Sequence, residues 1–277
     1  MNAWMRFCRS RLALVGLVLV VVLALSAALA PWLAPYDPSR QSLIEKRAKP
    51  FGKYVLGADE FGRDILSRVI YGSRVALLVG VLSALIALCG GLLLGMIAGF
   101  TGGWVDAVMM RGIEILLAFP YLLLALAIVA AMGPGALNTT IAVGIWGVPA
   151  VTRIVRSSVL ALRETEYVGA ARALGSPAPA LLCRHILPNV VPGLIVYATL
   201  FMANAILLEA ALSFLGLGVQ PPTASWGLMV SSGRDVLLVA PHVATVPGVA
   251  IMIAVLGFNL VGDGLRDALD PRLKGGG

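Results

Sequence analysis

The 277-residue chain is 59% hydrophobic and 13% charged, with a net charge of +7 and a mean hydropathy of +0.93. Soluble domains carry charge on about a quarter of their residues, so a water-soluble enzyme is excluded and a membrane protein is implied. The positive balance suits an anionic cytoplasmic leaflet, making membrane lipid a partner, and no basic stripe interleaved with aromatics suggests nucleic acid.

Charge-free runs longer than the ~18–20 residues that cross a bilayer cover 12–36, 75–105, 115–152, 185–208 and 236–262, and Gly133-Pro134-Gly135 divides the third. They predict an all-α polytopic protein with about six transmembrane helices, near 12–34, 75–100, 109–132, 137–160, 190–216 and 241–264. The chain is thereby divided into a tail and first anchor (1–36), an extracytoplasmic segment (37–74), a transmembrane core (75–267) holding a polar loop (161–189), and a tail (268–277).

The first span follows Arg6, Arg9 and Arg11 and ends in Ala28-Leu29-Ala30, as a secretory signal would. Its apolar run exceeds the roughly 7–15 residues of a signal core and Pro31 hinders cleavage, so an uncleaved anchor is expected. An even number of spans puts both termini on one side, and the basic tails, with Arg266, Arg272 and Lys274 at the far end, assign that side to the cytoplasm. Arg153, Arg156, Arg163, Arg172 and Arg184 place the 161–189 loop there too. Arg40, Lys46, Arg47, Lys49, Lys53, Arg63, Arg68 and Arg74, between the first two spans, run against the same rule.

In the second span Gly91, Gly95 and Gly99 share one helix face, a spacing that lets two backbones approach closely in lipid. A contact within the chain and a seam with a second subunit both fit. Arg111 and Glu114, at i and i+3, are expected to pair locally. Cys8, Cys89 and Cys183, with His185 and His242, have the spacing of neither a disulfide framework nor a metal site.

The loop reads as two short helices around a turn. Residues 163–174 favour helix, Gly175 and Pro177 stop it, a second helix runs from Pro177 or Pro179 to about His185, and Pro188 opens the fifth span. Ala170, Ala171, Ala173 and Leu174 give it a small, smooth surface suited to a groove on a partner. Glu209 falls near the outer end of the fifth span, where it either snorkels to the interface or stands on a substrate path. Residues 217–240, with Pro221-Pro222 and Ser231-Ser232-Gly233, read as loop and re-entrant structure.

At Gly169-Ala170-Ala171, Gly175 and Leu187-Pro188 the chain resembles the permease subunits of binding-protein-dependent ABC importers, whose cytoplasmic loop carries Glu-Ala-Ala, a glycine and a Leu-Pro at this spacing. The departure is Gly169, where the family usually has glutamate; Glu166 lies one turn earlier. LGADEFGRDILSRVIYGSR (56–74), SFLGLGVQPPTASWG and FNLVGDGLRDALDPR are similar to segments of dipeptide, oligopeptide and nickel permeases, most of all the second permease of such importers. Within them Asp59, Gly62, Arg63 and Asp64 read as a salt-bridged turn, and Gly262, Asp263, Arg266 and Asp267 as a helix cap with local charge pairs.

The resemblance implies the type I permease fold of a multi-pass bacterial inner-membrane protein, with no catalytic chemistry and no cofactor of its own. It implies a second, non-identical permease, two cytoplasmic ABC ATPases that use ATP and Mg, and an extracytoplasmic binding protein that delivers peptides or, alternatively, nickel or another metal chelate. Glu166, Gly169, Ala170, Ala171, Arg172, Leu174, Gly175, Leu187 and Pro188 become the ATPase-coupling loop. Asp59, Arg63, Asp64 and Glu209 become candidates for the translocation path or outer gate. The absence of a Walker A loop fits this division of labour. An ion-coupled transporter would show mid-membrane charges and repeated halves, and an intramembrane serine protease would pair a serine such as Ser213 with a histidine or lysine; the sequence supports neither.

Overall fold

Where no water reaches the backbone, a helix satisfies its own N–H and C=O groups. The computed structural model describes residues 3–269, which are helical apart from loops and one isolated β-bridge between Ala58 and Asp64. After α1 (Ala3–Phe7), Ser10 caps α2 (Arg11–Ala28) by accepting a hydrogen bond from the Ala13 amide, and α3 (Ala30–Leu33) follows. An irregular segment leads to α4 (Ile65–Thr101), then α5 (Gly103–Ala118), α6 (Tyr121–Met132) and α7 (Ala136–Arg163). The loop helices α8 (Glu166–Ala173) and α9 (Ala178–Ala180) precede a π-helical turn, Leu181–Ile186, that runs into α10 (Leu187–Phe214); α11 (Trp226–Arg234) and α12 (His242–Leu269) complete the chain. Arg272 and Lys274, and most of the 268–277 tail, lie outside the described residues.

Among the described residues, five helical runs are long and apolar enough to cross a membrane: α2, α4, α7, residues 178–214 and α12. The expected span at 109–132 falls on a broken pair, α5 and α6, bent by 95°; counted as one broken span, the pair brings the candidate crossings to six. Pro120 lacks an amide hydrogen and forces Phe119 to extended backbone (φ −82°, ψ 134°), so the helix stops there. The helix that carries the second span begins at Ile65, ten residues before the expected span start at 75, because Asp64 caps α4 and the charges of Arg68 and Arg74 are answered by distant carbonyls: Arg68 Nη1 donates to Pro38 O (3.0 Å) and Arg74 Nε to Ala27 O (2.7 Å). Pro188 sits in the first turn of α10, as expected, but the helix does not start from a loop. The π turn carries the chain into it, so one helical run extends from 178 to 214.

The glycine face of α4 packs within the chain, against α7. A Cβ at Gly91, Gly95 or Gly99 would lie 2.4, 2.6 or 2.8 Å from the Cβ of Val151, Val155 or Val159, so no side chain fits between these backbones. The three contacts advance together along both helices, which therefore run parallel. Gly262 is likewise a packing residue and not a cap, since α12 continues to Leu269 and a Cβ there would meet Leu200 at 2.5 Å. Among the described residues Asp263, Arg266 and Asp267 form no ion pair with one another, contrary to the expected charge pairs. Arg111 and Glu114 do meet, at 3.5 Å on an exposed face of α5.

The larger apolar core joins α4, α6, α7 and α10, and a second joins α2, α4, α10, α11 and α12. Residues 217–240 form no spanning helix: they fold as turns around the nine-residue α11, whose Trp226 is buried and donates from Nε1 to Val69 O at 2.9 Å. Because α4 and α7 are parallel, the loop after α7 and the segment before α4 lie at opposite ends of the bundle.

Candidate functional site

At the loop end, α8 stops as its sequence dictates. Gly175 takes φ +82°, its amide bonds to Arg172 O (3.0 Å), and the Ser176 amide bonds to Ala171 O (3.1 Å). This paired closure of the last turn is what a glycine just past a helix end makes possible. Val168, Leu181 and Ile186 are buried and anchor the loop to the bundle. The residues singled out for partner contact are left outside: Glu166, Gly169, Ala170, Arg172 and Gly175 are exposed, Ala171 is half-buried and Leu174 is 88% exposed at the apex. A Cβ at Gly169 would meet nothing within 4 Å, so the missing glutamate is not a steric requirement of this chain. Leu187 and Pro188 lie beyond the π turn, where the loop becomes α10.

At the opposite end the expected salt-bridged turn is present, and it is buried. Asp59 accepts from the Phe61 and Arg63 amides through Oδ1 (2.9 and 3.0 Å) and from Arg63 Nε through Oδ2 (2.6 Å). Gly62 turns the chain at φ +72°. Asp64 Oδ2 takes the Ser67 amide and hydroxyl (2.8 and 2.6 Å), satisfying a free donor of the first turn of α4. Arg68, one of the eight basic residues between the first two expected spans, joins this turn: it is 1% exposed with Nε 3.6 Å from Asp59 Oδ2. Burial, with Asp59 beside it, holds the Glu60 carboxyl above its ordinary range. Nearer solvent, Lys53 Nζ and Tyr54 Oη both donate to Glu45 (2.5 Å each), which pushes the tyrosine up to about 12.

Glu209 does not snorkel. It is 2% exposed, and its Oε1 accepts from the Ser213 hydroxyl (2.7 Å) and the Ser225 hydroxyl (2.9 Å), while Ser213 Oγ accepts from the Val219 amide (3.1 Å). Ser213 is therefore committed to a structural contact, with neither histidine nor lysine as partner among the described residues. The cluster fastens the 215–225 turn to α10. Its signal in the sequence is weak, since Ser225 lies 16 residues from Glu209 in a region without periodicity.

A helical bundle that crosses the membrane several times, keeps an ordered polar loop at one end and buries its charges at the other has the organisation of a transport permease. Residues 91–275 match the family model described as binding-protein-dependent transport system inner membrane component, and residues 1–50 match the N-terminal TM domain of oligopeptide transport permease C. The chain is 47% identical to the di/tripeptide transport system permease protein DppC of Pseudomonas aeruginosa, covering 98% of this chain and 91% of that protein. It is 44% identical to the dipeptide transport system permease protein DppC of Alkalihalophilus pseudofirmus (99% and 90% covered) and 43% identical to the glutathione transport system permease protein GsiD of Pectobacterium atrosepticum (98% and 90%). The chain belongs to the inner-membrane permease family of binding-protein-dependent ABC transporters, in its dipeptide and oligopeptide branch, and is a multi-pass inner-membrane protein.

Proposed function

We propose that this permease forms half of a translocation pathway for small peptides, paired with a second, non-identical permease and supplied by an extracytoplasmic binding protein. Two cytoplasmic ATPases, using ATP and Mg, dock on residues 161–189, and both termini share their side of the membrane. The observation that supports this reading best is the loop itself, held by Val168, Leu181 and Ile186 while Leu174 stands 88% exposed at its apex. An apolar side chain presented on an ordered helix end suits insertion into a partner's groove. Peptides are favoured over nickel because the three relatives described above are named for di/tripeptide, dipeptide and glutathione transport.

The connections on either side of the loop suggest how force travels. Thr165 ties the start of α8 to the end of α7, its amide and hydroxyl both donating to Leu162 O, and continuous helix joins 178 to α10. Movement of a docked ATPase would act on α7 and α10 together, and each state of the transport cycle must be favoured by different contacts. The test is uptake in proteoliposomes holding the purified complex with binding protein and peptide. Uptake driven by internal ATP and indifferent to an uncoupler is expected; uptake that runs without ATP and stops with the uncoupler overturns the proposal. In a cysteine-free background, Gln41→Cys should react with an impermeant thiol reagent from outside and Ser176→Cys should not, and the reverse pattern overturns the orientation.

A further inference from the structure

The outer half of α10 is enclosed by its own chain on nearly every side. Between Phe201 and Ser213 only Asn204 and Leu207 are exposed, Met202 and Ala211 are half-buried, and the other residues are buried. Asn204, Leu207 and Ala211 stand at i, i+3 and i+7, so they form one narrow open strip. With Tyr121 and Trp146 they line a cavity of about 220 Å³. Trp146 is held in place by its neighbours, with ring centroids 5.6 Å from Tyr121 and 5.3 Å from Phe201. Asn204 lies about 25 Å along the helix from Leu187 and about 15 Å from Phe214 at 1.5 Å per residue, well inside the apolar length of the run. One of its amide hydrogens is used, Nδ2 donating to Leu200 O at 3.0 Å. Its carbonyl oxygen and second N–H make no hydrogen bond to a described residue.

An amide at that depth is costly against lipid tails, and polar groups within spans line water-filled paths or meet other polar groups. The only open face of this half-helix is therefore the one that carries it. No acid or base is among the residues lining the cavity, and neutral aromatic and amide groups accept a peptide whatever the charge of its side chains. We propose that this strip is a wall of the substrate path, with Asn204 offering one acceptor and one donor to the peptide backbone and Trp146 an apolar surface to its side chains. The assignment rests on the peptide-permease reading above. It makes Asn204 a specificity-determining residue, because the neutrality of its side chain keeps the path indifferent to charge.

The experiment introduces charges of opposite sign at this one position. Asn204→Asp and Asn204→Lys complexes, purified with their partner subunits and reconstituted with binding protein, are compared with the unmodified complex for uptake of alanyl-lysine and alanyl-glutamate. Referring each variant to the unmodified complex for the same peptide removes the preference of the binding protein. The lysine-to-glutamate uptake ratio should rise in Asn204→Asp and fall in Asn204→Lys, the two variants differing by about tenfold or more, as expected for charges meeting in a poorly solvated path. A folding defect would lower both peptides alike. Equal uptake of both peptides in both variants, or loss of partner assembly without charge bias, overturns the assignment and makes the strip a helix contact. Failure of the unmodified complex to import either peptide overturns the peptide reading itself.

Discussion

Asp59, Arg63 and Arg68, at the foot of α4, are 4, 7 and 1% exposed, whereas Leu174, at the apex of the loop before α10, is 88% exposed. At the first end charged groups are buried and each finds its partner within the chain. At the second an apolar group is left in the open although the helix bearing it is well capped. The contrast separates fastening from presentation: buried charge is tolerable only when paired and hydrogen-bonded, so the Asp59 turn is tied to its own chain, while Leu174 stands at a capped helix end with 88% of its surface open. The α4–α7 glycine seam belongs with the first group, since it too leaves no position unfilled.

The largest expected effect comes from breaking the fastened turn. Asp59→Ala leaves Arg63 and Arg68 buried without their shared carboxylate, and the loss should be about 3 kcal/mol or more, visible as a lower thermal transition of the purified permease in detergent. A transition unchanged within error would show that the turn is not a fastening. Next comes Gly95→Leu in the seam, where a Cβ would already lie 2.6 Å from Val155 Cβ and 2.7 Å from Thr152 O. Overpacking of this kind costs about 1–3 kcal/mol, so reduced yield of monodisperse protein is expected, with a larger defect than Gly91→Ala produces. At the open end the sign reverses. Gly169→Glu places its Cβ where no atom lies within 4 Å and replaces a poor helix former, so stability should rise by up to about 1 kcal/mol while ATPase coupling is kept; a fall in stability would mean that α8 packs more closely than its exposure indicates.

The smallest effect concerns pH at the segment before α4. Hydrogen bonds from Lys53 and then Tyr54 hold Glu45 below its ordinary value of 4.5. A carboxylate whose folded pKa is depressed contributes above its unfolded pKa and loses that contribution as pH falls through the folded value. Protease protection of the 40–56 stretch should thus be flat above about pH 5 and weaken below it. Tyr54→Phe should remove part of that dependence; an unaltered profile would assign the acid response elsewhere.

Much of this arrangement was legible in the sequence, for identifiable reasons. Hydropathy reveals a span wherever charge is absent, and Gly175 with Pro177 marks the loop turn because both act locally on the backbone. What escaped depends on partners far along the chain. Arg68 and Arg74 hide the helical start of α4 from hydropathy, because the carbonyls that answer them, on Pro38 and Ala27, lie 30 and 47 residues away. The Phe119-Pro120 break was hidden by the surrounding apolar run, which scores as a span whether straight or bent. Glu209 has an interfacial and a path reading in the sequence, because the Ser225 hydroxyl that holds it lies 16 residues away.

The central claim is that the loop apex is incomplete without an ATPase, and Leu174→Glu tests it most directly because the residue touches little of its own chain. The variant complex should assemble in the membrane, and the permease should keep its thermal transition. Binding-protein-stimulated ATP hydrolysis should fall to the unstimulated rate, since a carboxylate cannot enter an apolar groove without losing its hydration. Stimulation equal to that of the unmodified complex, with assembly intact, would contradict the account and leave the 161–189 loop a linker.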